Sequence, residues 1–270
     1  MPVAYDERLG LCYTDQGEGP PVVLVHGFGL THEVWDEQLP LADEFRLIAY
    51  DTRGCGDSIA PATGYSPSDL GDELAGLLDH LGVMRAHLVG HSRGGGIIMD
   101  MALRRPERVA SLVFVSSGLD GFPYSQAFLD PIRQCRTLAL EQGVTAAVDA
   151  WIAGEATSWT SRSHPEVFAR VEAMTRRYSG ADWLDTSAYS SSGLSDMERL
   201  AEIQAPTFVL SGQEDLHDFV EIANMLTWWI PGARQKSLLG VGHFPMLENP
   251  YETNLYLRGF LRKVVGEKVT

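Results

Sequence analysis

The sequence predicts an α/β protein: a doubly wound, mostly parallel sheet with an inserted helical cap. Three observations carry that prediction. Short β-branched runs recur along the chain and are continuously apolar, as strands covered on both faces should be. Helical patterns separate the runs, and such alternation builds parallel sheets. One connection, residues 118–205, is far longer than the dozen or so residues that a crossover needs.

The runs are "PVVLVHG" at 21–27, "FRLIAYD" at 45–51, "AHLVGHS" at 86–92, "VASLVFVSS" at 109–117 and "PTFVLSG" at 206–212, with "ARQKSLL" as the final strand-like stretch. The opening "RLGLCYTDQGEGP" alternates and turns, which predicts an antiparallel edge hairpin. From Ser66 to Leu81, Leu70, Leu74, Leu77, Leu78 and Leu81 form one stripe at helical spacing. Ser66 can cap this helix, Pro67 suits its first turn and Gly82 ends it. The last helix is expected to start at Asn249, with Pro250 first and Glu252 in the capping-box position.

The long connection carries helical patterns of its own, as in "AAVDAWIA" and "PEVFARVEAMTRRY", and it holds Trp151, Trp159 and Trp183. Residues 121–196 are therefore read as the cap, and 1–120 with 197–270 as the core. "SAYSSSGLSD" at 187–196 reads as a flexible return from the cap. The tryptophans are expected mainly to pack, with at least one facing the cleft.

"GHSRGGG" at 90–96 ends a buried strand and opens a helix. The spacing Gly90-His91-Ser92-Arg93-Gly94 is G-x-S-x-G. Small residues let the chain reverse sharply there, which lifts the Ser92 hydroxyl to the carboxyl edge of the sheet. The glycines are expected to make room for that turn. A hydroxyl near neutral pH is a poor nucleophile and needs a base. Of the eight histidines, His243 stands out in the glycine-flanked loop "GVGHFP" after the final strand. His26 and His91 are expected to hydrogen-bond the backbone or pack locally, and His217 to begin a helix. The base needs an acid to orient it. Asp215, the third residue past Gly212, is the choice; Glu214, Asp218 and the more distant Asp120 compete with it. "HGFG" at 26–29 follows the first buried strand, so the backbone N–H groups of Phe28 and Arg93 are the expected oxyanion donors.

Composition removes other classes. The chain has 270 residues and a formal net charge of −15, which argues against nucleic acid and anionic membrane as partners. No basic segment precedes an apolar one at the N-terminus, so no signal peptide is read. Cys12, Cys55 and Cys135 read as reduced thiols of a cytoplasmic protein. No metal-binding spacing, phosphate loop or dinucleotide fingerprint is found, and no cofactor or metal is expected. Arg53 and Asp57 read as an ion-pair and turn set that braces loops, with a substrate role as the lesser reading.

Taken together, "HGFG", "YDTRGCGDS" at 50–58, "GHSRGG", "SGQED" and "GHFPMLENP" at 242–250 resemble the α/β-hydrolase superfamily, over nearly the whole chain. Within it the chain is similar to the capped serine esterases, lactonases and cofactor-free haloperoxidase-like enzymes. The chain order Ser, Asp, His is the order of that architecture. "QLPLADEFRLIAYDTRGCGDS" is similar to enol-lactonases of aromatic degradation, which usually have methionine where this chain has Arg93. The resemblance implies hydrolysis of an ester or lactone of a small to medium, largely apolar molecule through an acyl-enzyme. Carbon–carbon bond hydrolysis of a diketone and peracid-dependent halogenation stay open. A non-enzymatic hormone-type receptor or binding protein on this fold is the competing class. A homo-oligomer is also left open.

Overall fold

The structure is a computed structural model and describes residues 3–154, 160, 162–185 and 195–266. Eight strands form one sheet: β1 (Val3–Asp6), β2 (Leu11–Gln16), β3 (Pro21–Val25), β4 (Arg46–Tyr50), β5 (Ala86–His91), β6 (Val109–Val115), β7 (Thr207–Gly212) and β8 (Arg234–Leu238). Their order is β1-β2-β4-β3-β5-β6-β7-β8. The pairs β1–β2 and β2–β4 are antiparallel and every other pair is parallel. All the expected strands are present.

The expected antiparallel edge hairpin is present, but its strands are placed differently. Its first strand is Val3–Asp6, upstream of the quoted stretch, and β2 lies second from the edge, paired to β4 as well. The Asp6 carboxylate decides the turn by accepting the N–H groups of Arg8 and Leu9, each at 2.8 Å. Gly10 then closes it at φ +69°, where a side chain would be strained.

Helices cover both faces. Alternate residues of one strand serve opposite cores: Val23 and Val25 pack with Leu70, Leu74, Ile98 and Leu226, whereas Val22 and Leu24 pack with Trp35, Leu41, Leu257 and Leu261. The helix α1 (Pro67–His80) presents its leucine stripe to the first core. Ser66 caps it, accepting from Asp69 N–H while the Asp69 carboxylate accepts from Ser66 N–H, and Gly82 follows at φ +66°. The final helix, Pro250–Gly266, begins as expected, with Asn249 Oδ1 accepting the Glu252 N–H at 3.1 Å.

Between β6 and β7 lie helices Gln126–Gln142, Val144–Ile152, Pro165–Thr175, Ala181–Leu184 and Asp196–Arg199. They enclose a separate apolar cluster that includes Cys135, Ala147, Val148, Tyr178 and Trp183, with Phe28 and Trp151 packed against it. Trp151 and Trp183 thus pack, as expected. Trp159, and the return stretch up to residue 194, lie outside the described residues. No helix among the described residues is long and apolar enough to cross a membrane.

Candidate active site

β5 runs straight into the helix α2 (Arg93–Arg104) with Ser92 at the junction. Ser92 holds φ +51° and ψ −117°, a region L-residues rarely enter. Three glycines make this turn sterically feasible. A Cβ on Gly90 would strike the Gly94 carbonyl, one on Gly94 the carbonyls of Val25 and His26, and one on Gly95 the Ser117 side chain. Gly96 differs from the expectation: nothing lies near its missing Cβ, so space does not require it.

Ser92 Oγ lies 3.1 Å from His243 Nε2, and His243 Nδ1 lies 2.8 Å from Asp215 Oδ1. The Asp215 side chain is fully buried, and the same Oδ1 accepts the Leu216 N–H at 2.7 Å. With Nδ1–H donating to Asp215, Nε2 is the free base that can accept the Ser92 hydroxyl proton. The competing acids are engaged or placed elsewhere. Asp218 accepts the N–H and hydroxyl of Ser125. Glu214 is exposed. Asp120 sits beside Asp196, adding to the charge repulsion that, after burial, lifts the Asp196 carboxyl to about 7.

The loop carrying His243 is held from several sides. His91 donates from Nε2 to the His243 carbonyl at 2.8 Å, and burial holds its pKa well below the usual range. The buried Glu248 carboxylate accepts Gly242 N–H at 2.5 Å and Phe244 N–H at 3.3 Å, one on each side of His243. It also accepts the Thr160 hydroxyl at 2.7 Å. The Phe219 ring lies 4.4 Å from that of His243. His26 donates to the Gly27 carbonyl at 2.7 Å and accepts the Thr52 N–H at 2.9 Å, and burial lowers it to about 4. His26 and His91 are therefore backbone braces, as expected, and His217 does begin the helix His217–Trp229.

Phe28 and Arg93 are brought to the same place. A Cβ on Gly27 would lie 3.0 Å from Ser92 Cβ, so the 26–29 loop runs directly against the serine. The Phe28 ring packs on Trp151, Tyr178 and Trp183 at centroid distances of 5.0, 5.0 and 5.5 Å. Arg93 Cζ lies 5.6 Å from the centroid of that ring, and Nη1 donates to Asp182 Oδ2 at 2.5 Å.

Arg53 and Asp57 brace loops, but each pairs with a residue the sequence did not reveal. Arg53 pairs with Glu73 at 2.7 Å and Asp57 with Arg177 at 2.8 Å. Sequence reasoning also passed over one cluster of metal-type atoms, Cys12, His32 and Asp51, all buried. Here these atoms hydrogen-bond within the cluster and to backbone amides. Asp51 Oδ1 accepts His32 N–H and Nδ1–H, both at 2.7 Å, and Oδ2 accepts Asp57 N–H at 3.1 Å. Burial and the Asp51 charge push the Cys12 thiol up to about 12, so it keeps its proton. The cluster ties β2, the 31–32 turn and the loop after β4 together. Asp182 and the Glu248 clamp were missed too. Glu248 had a signal in "GHFPMLENP"; Asp182, 89 positions from Arg93, had none.

The chain belongs to the α/β hydrolase fold family, whose model matches residues 20–250. Among solved structures it is similar to Est816, described as an N-acyl homoserine lactone degrading enzyme, at 32% identity and TM-score 0.76 over 96% of this chain and 100% of that one. It is similar to a thermophilic esterase from Thermogutta terrifontis at 29% identity and TM-score 0.82, covering 94% of this chain and 93% of the other. The enol-lactonase from Burkholderia xenovorans LB400 shows 25% identity and TM-score 0.82 over 96% and 99% of the two chains. Two of the three are hydrolases by description, an esterase and an enol-lactonase.

Proposed function

We propose that the protein is a serine hydrolase that cleaves a carboxylic ester or lactone of a small to medium, largely apolar molecule through an acyl-enzyme. The unbroken hydrogen-bond chain from Ser92 through His243 to Asp215, with Ser92 on its strained turn, carries this reading. In the proposed reaction Ser92 Oγ bonds to the carbonyl carbon while its proton passes to His243 Nε2. The carbonyl electron pair moves to oxygen, where the N–H groups of Phe28 and Arg93 hold it. The C–O bond to the leaving group then breaks, and His243 returns the proton to the departing alcohol. Water repeats the sequence on the acyl-enzyme, frees the acid and restores Ser92. Asp215 keeps His243 in the required tautomer and stabilises its cation.

The helical segment between β6 and β7 acts as a cap in this reading, because Trp151, Tyr178 and Trp183 close over Phe28. On the other side Phe219 borders His243, with Phe128 packed on Phe219. Two aromatic walls favour apolar substrates. The esterase and lactonase descriptions of the relatives support the ester or lactone arm. Three buried free thiols fit a cytoplasmic setting.

The test is direct. Ser92→Ala should fold and lose about 10⁴-fold or more in turnover of an aryl ester. A fluorophosphonate probe should label the parent and not the variant. Equal labelling of both would end the assignment. Stoichiometric acylation without sustained turnover would point to a receptor on this fold.

A further inference from the structure

We infer that the Arg93–Asp182 pair sets the charge of the site, so that the protein selects uncharged esters or lactones over those bearing a carboxylate in the acyl part, with Asp182 as the specificity-determining residue. This rests on the proposal that Ser92 is the nucleophile. Arg93 directly follows Ser92, and its guanidinium lies against the ring of Phe28, whose loop touches Ser92. A guanidinium in that place is well shaped to fork onto a substrate carboxylate. Asp182 already occupies it. Its Oδ2 is 2.5 Å from Arg93 Nη1, its side chain is 3% exposed and that of Arg93 only 23%.

The geometry leaves an anionic substrate two options, both unfavourable. It can displace Asp182 from Arg93, which strands a buried carboxylate without its partner. It can instead dock beside the intact pair, where Asp182 cancels the attraction of Arg93 and the substrate's negative charge is buried without a counter-charge. An uncharged acyl group meets neither cost. It also finds the rings of Phe28, Trp151 and Phe219 around Ser92 and His243. The formal net charge of −15 adds a weaker field of the same sign.

Asp182 stands on the short helix Ala181–Leu184 of the segment between β6 and β7, whereas Ser92, His243 and Asp215 stand on the loops at the sheet's carboxyl edge. Selectivity can therefore change without change to the reacting groups. Asp182→Asn keeps the shape and an oxygen for Arg93, and removes one negative charge.

The experiment compares two p-nitrophenyl esters of equal chain length, one ending in a methyl group and one in a carboxylate. Parent and Asp182→Asn are assayed on both. The parent should prefer the neutral ester. In the variant that preference should fall by about tenfold or more, and salt at about 0.5 M should narrow the change. The ratio is the readout, since general loosening of the fold lowers both rates together. An unchanged ratio in a folded variant would overturn the inference. If Asp182→Asn does not fold, the parent alone still decides: equal kcat/KM on the two esters would overturn it. Turnover of neither ester, with no fluorophosphonate labelling, would instead remove the serine-hydrolase reading beneath it.

Discussion

Ser92 sits at φ +51°, a backbone state that costs about 1–3 kcal/mol for a residue with a side chain. The surrounding contacts must hold it there. Its N–H bonds the Val115 carbonyl at 3.0 Å, and its own carbonyl accepts Gly95 and Gly118 N–H, both at 2.9 Å. The neighbouring glycines carry different burdens, which a pair of substitutions separates. Gly94→Ala drives a methyl group into two carbonyls and should cost more than about 2 kcal/mol in urea unfolding, or prevent folding. Gly96→Ala meets nothing and should be neutral or stabilising by up to about 1 kcal/mol. Similar losses at both sites would contradict this account of the turn. Among the acids, Asp215→Asn should reduce kcat by about 10³–10⁴, because His243 would lose the partner that sets its tautomer. Asp120→Asn should change kcat little. The sequence already singled out Ser92, His243 and Asp215, since motif and chain order carry that information. It preferred Asp215 to Glu214, Asp218 and Asp120 on spacing alone, and the loop geometry is what separates them.

At the level of elements, the loop after β8 shows how the His243 side chain is held without rigid secondary structure. Glu248 accepts the amides on both sides of His243, and His91 holds the carbonyl between them. Glu248→Gln places an amide N–H₂ or a weaker acceptor against those donors. His243 should then shift by a fraction of an ångström, with kcat lowered by about 10- to 100-fold and KM near the parent's. Steady-state kinetics on an aryl ester would check this, and a parental kcat would show that Glu248 does not position the base. Some elements were legible from period and punctuation alone. The helix Pro67–His80 is one, because Ser66, Pro67, the leucine stripe and Gly82 all agree. Others were not. The helix Gln126–Gln142 contains Pro131 and buries only Cys135 and Ala139, so it offers little stripe to read. The 3₁₀ segment His32–Asp43 contains Pro40 and buries its Trp35 and Leu41 through tertiary packing. The first strand, Val3–Asp6, is largely exposed and shows no apolar run.

Across the whole molecule, buried histidines make acid stability a measurable property. Burial lowers His26 and His87 to about 4, and His91 falls well below its usual value. Unfolding returns each to about 6.5. Between those values the unfolded chain binds more protons than the folded one. Stability should thus be fully present above about pH 6.5 and decline as pH falls toward 4, by up to about 1.4 kcal/mol per pH unit for each such histidine. The His32–Asp51 pair works in the opposite sense. Its hydrogen bonds raise His32, so its share is complete below about pH 6.5 and lost as pH rises through the shifted value. His87 lies on β5, and among the described residues its ring bonds Ser111 Oγ at 2.8 Å. Urea unfolding of His87→Gln between pH 4.5 and 7.5 should show a slope shallower by one proton. A slope equal to the parent's would mean that His87 is not held neutral.

The sequence by itself determined the parallel core of the sheet, the turn under Ser92 and the residues that meet there. Those features rest on local rules: apolar periodicity, capping, and glycine where the backbone needs its freedom. Only the tertiary structure decided that His91 grips the His243 loop, that Asp51 binds His32, and that Asp182 takes the guanidinium of Arg93. Each of those contacts joins groups far apart in the chain. Each is set by burial, where a charge or a donor must find a partner, and no spacing in the sequence records which partner it finds.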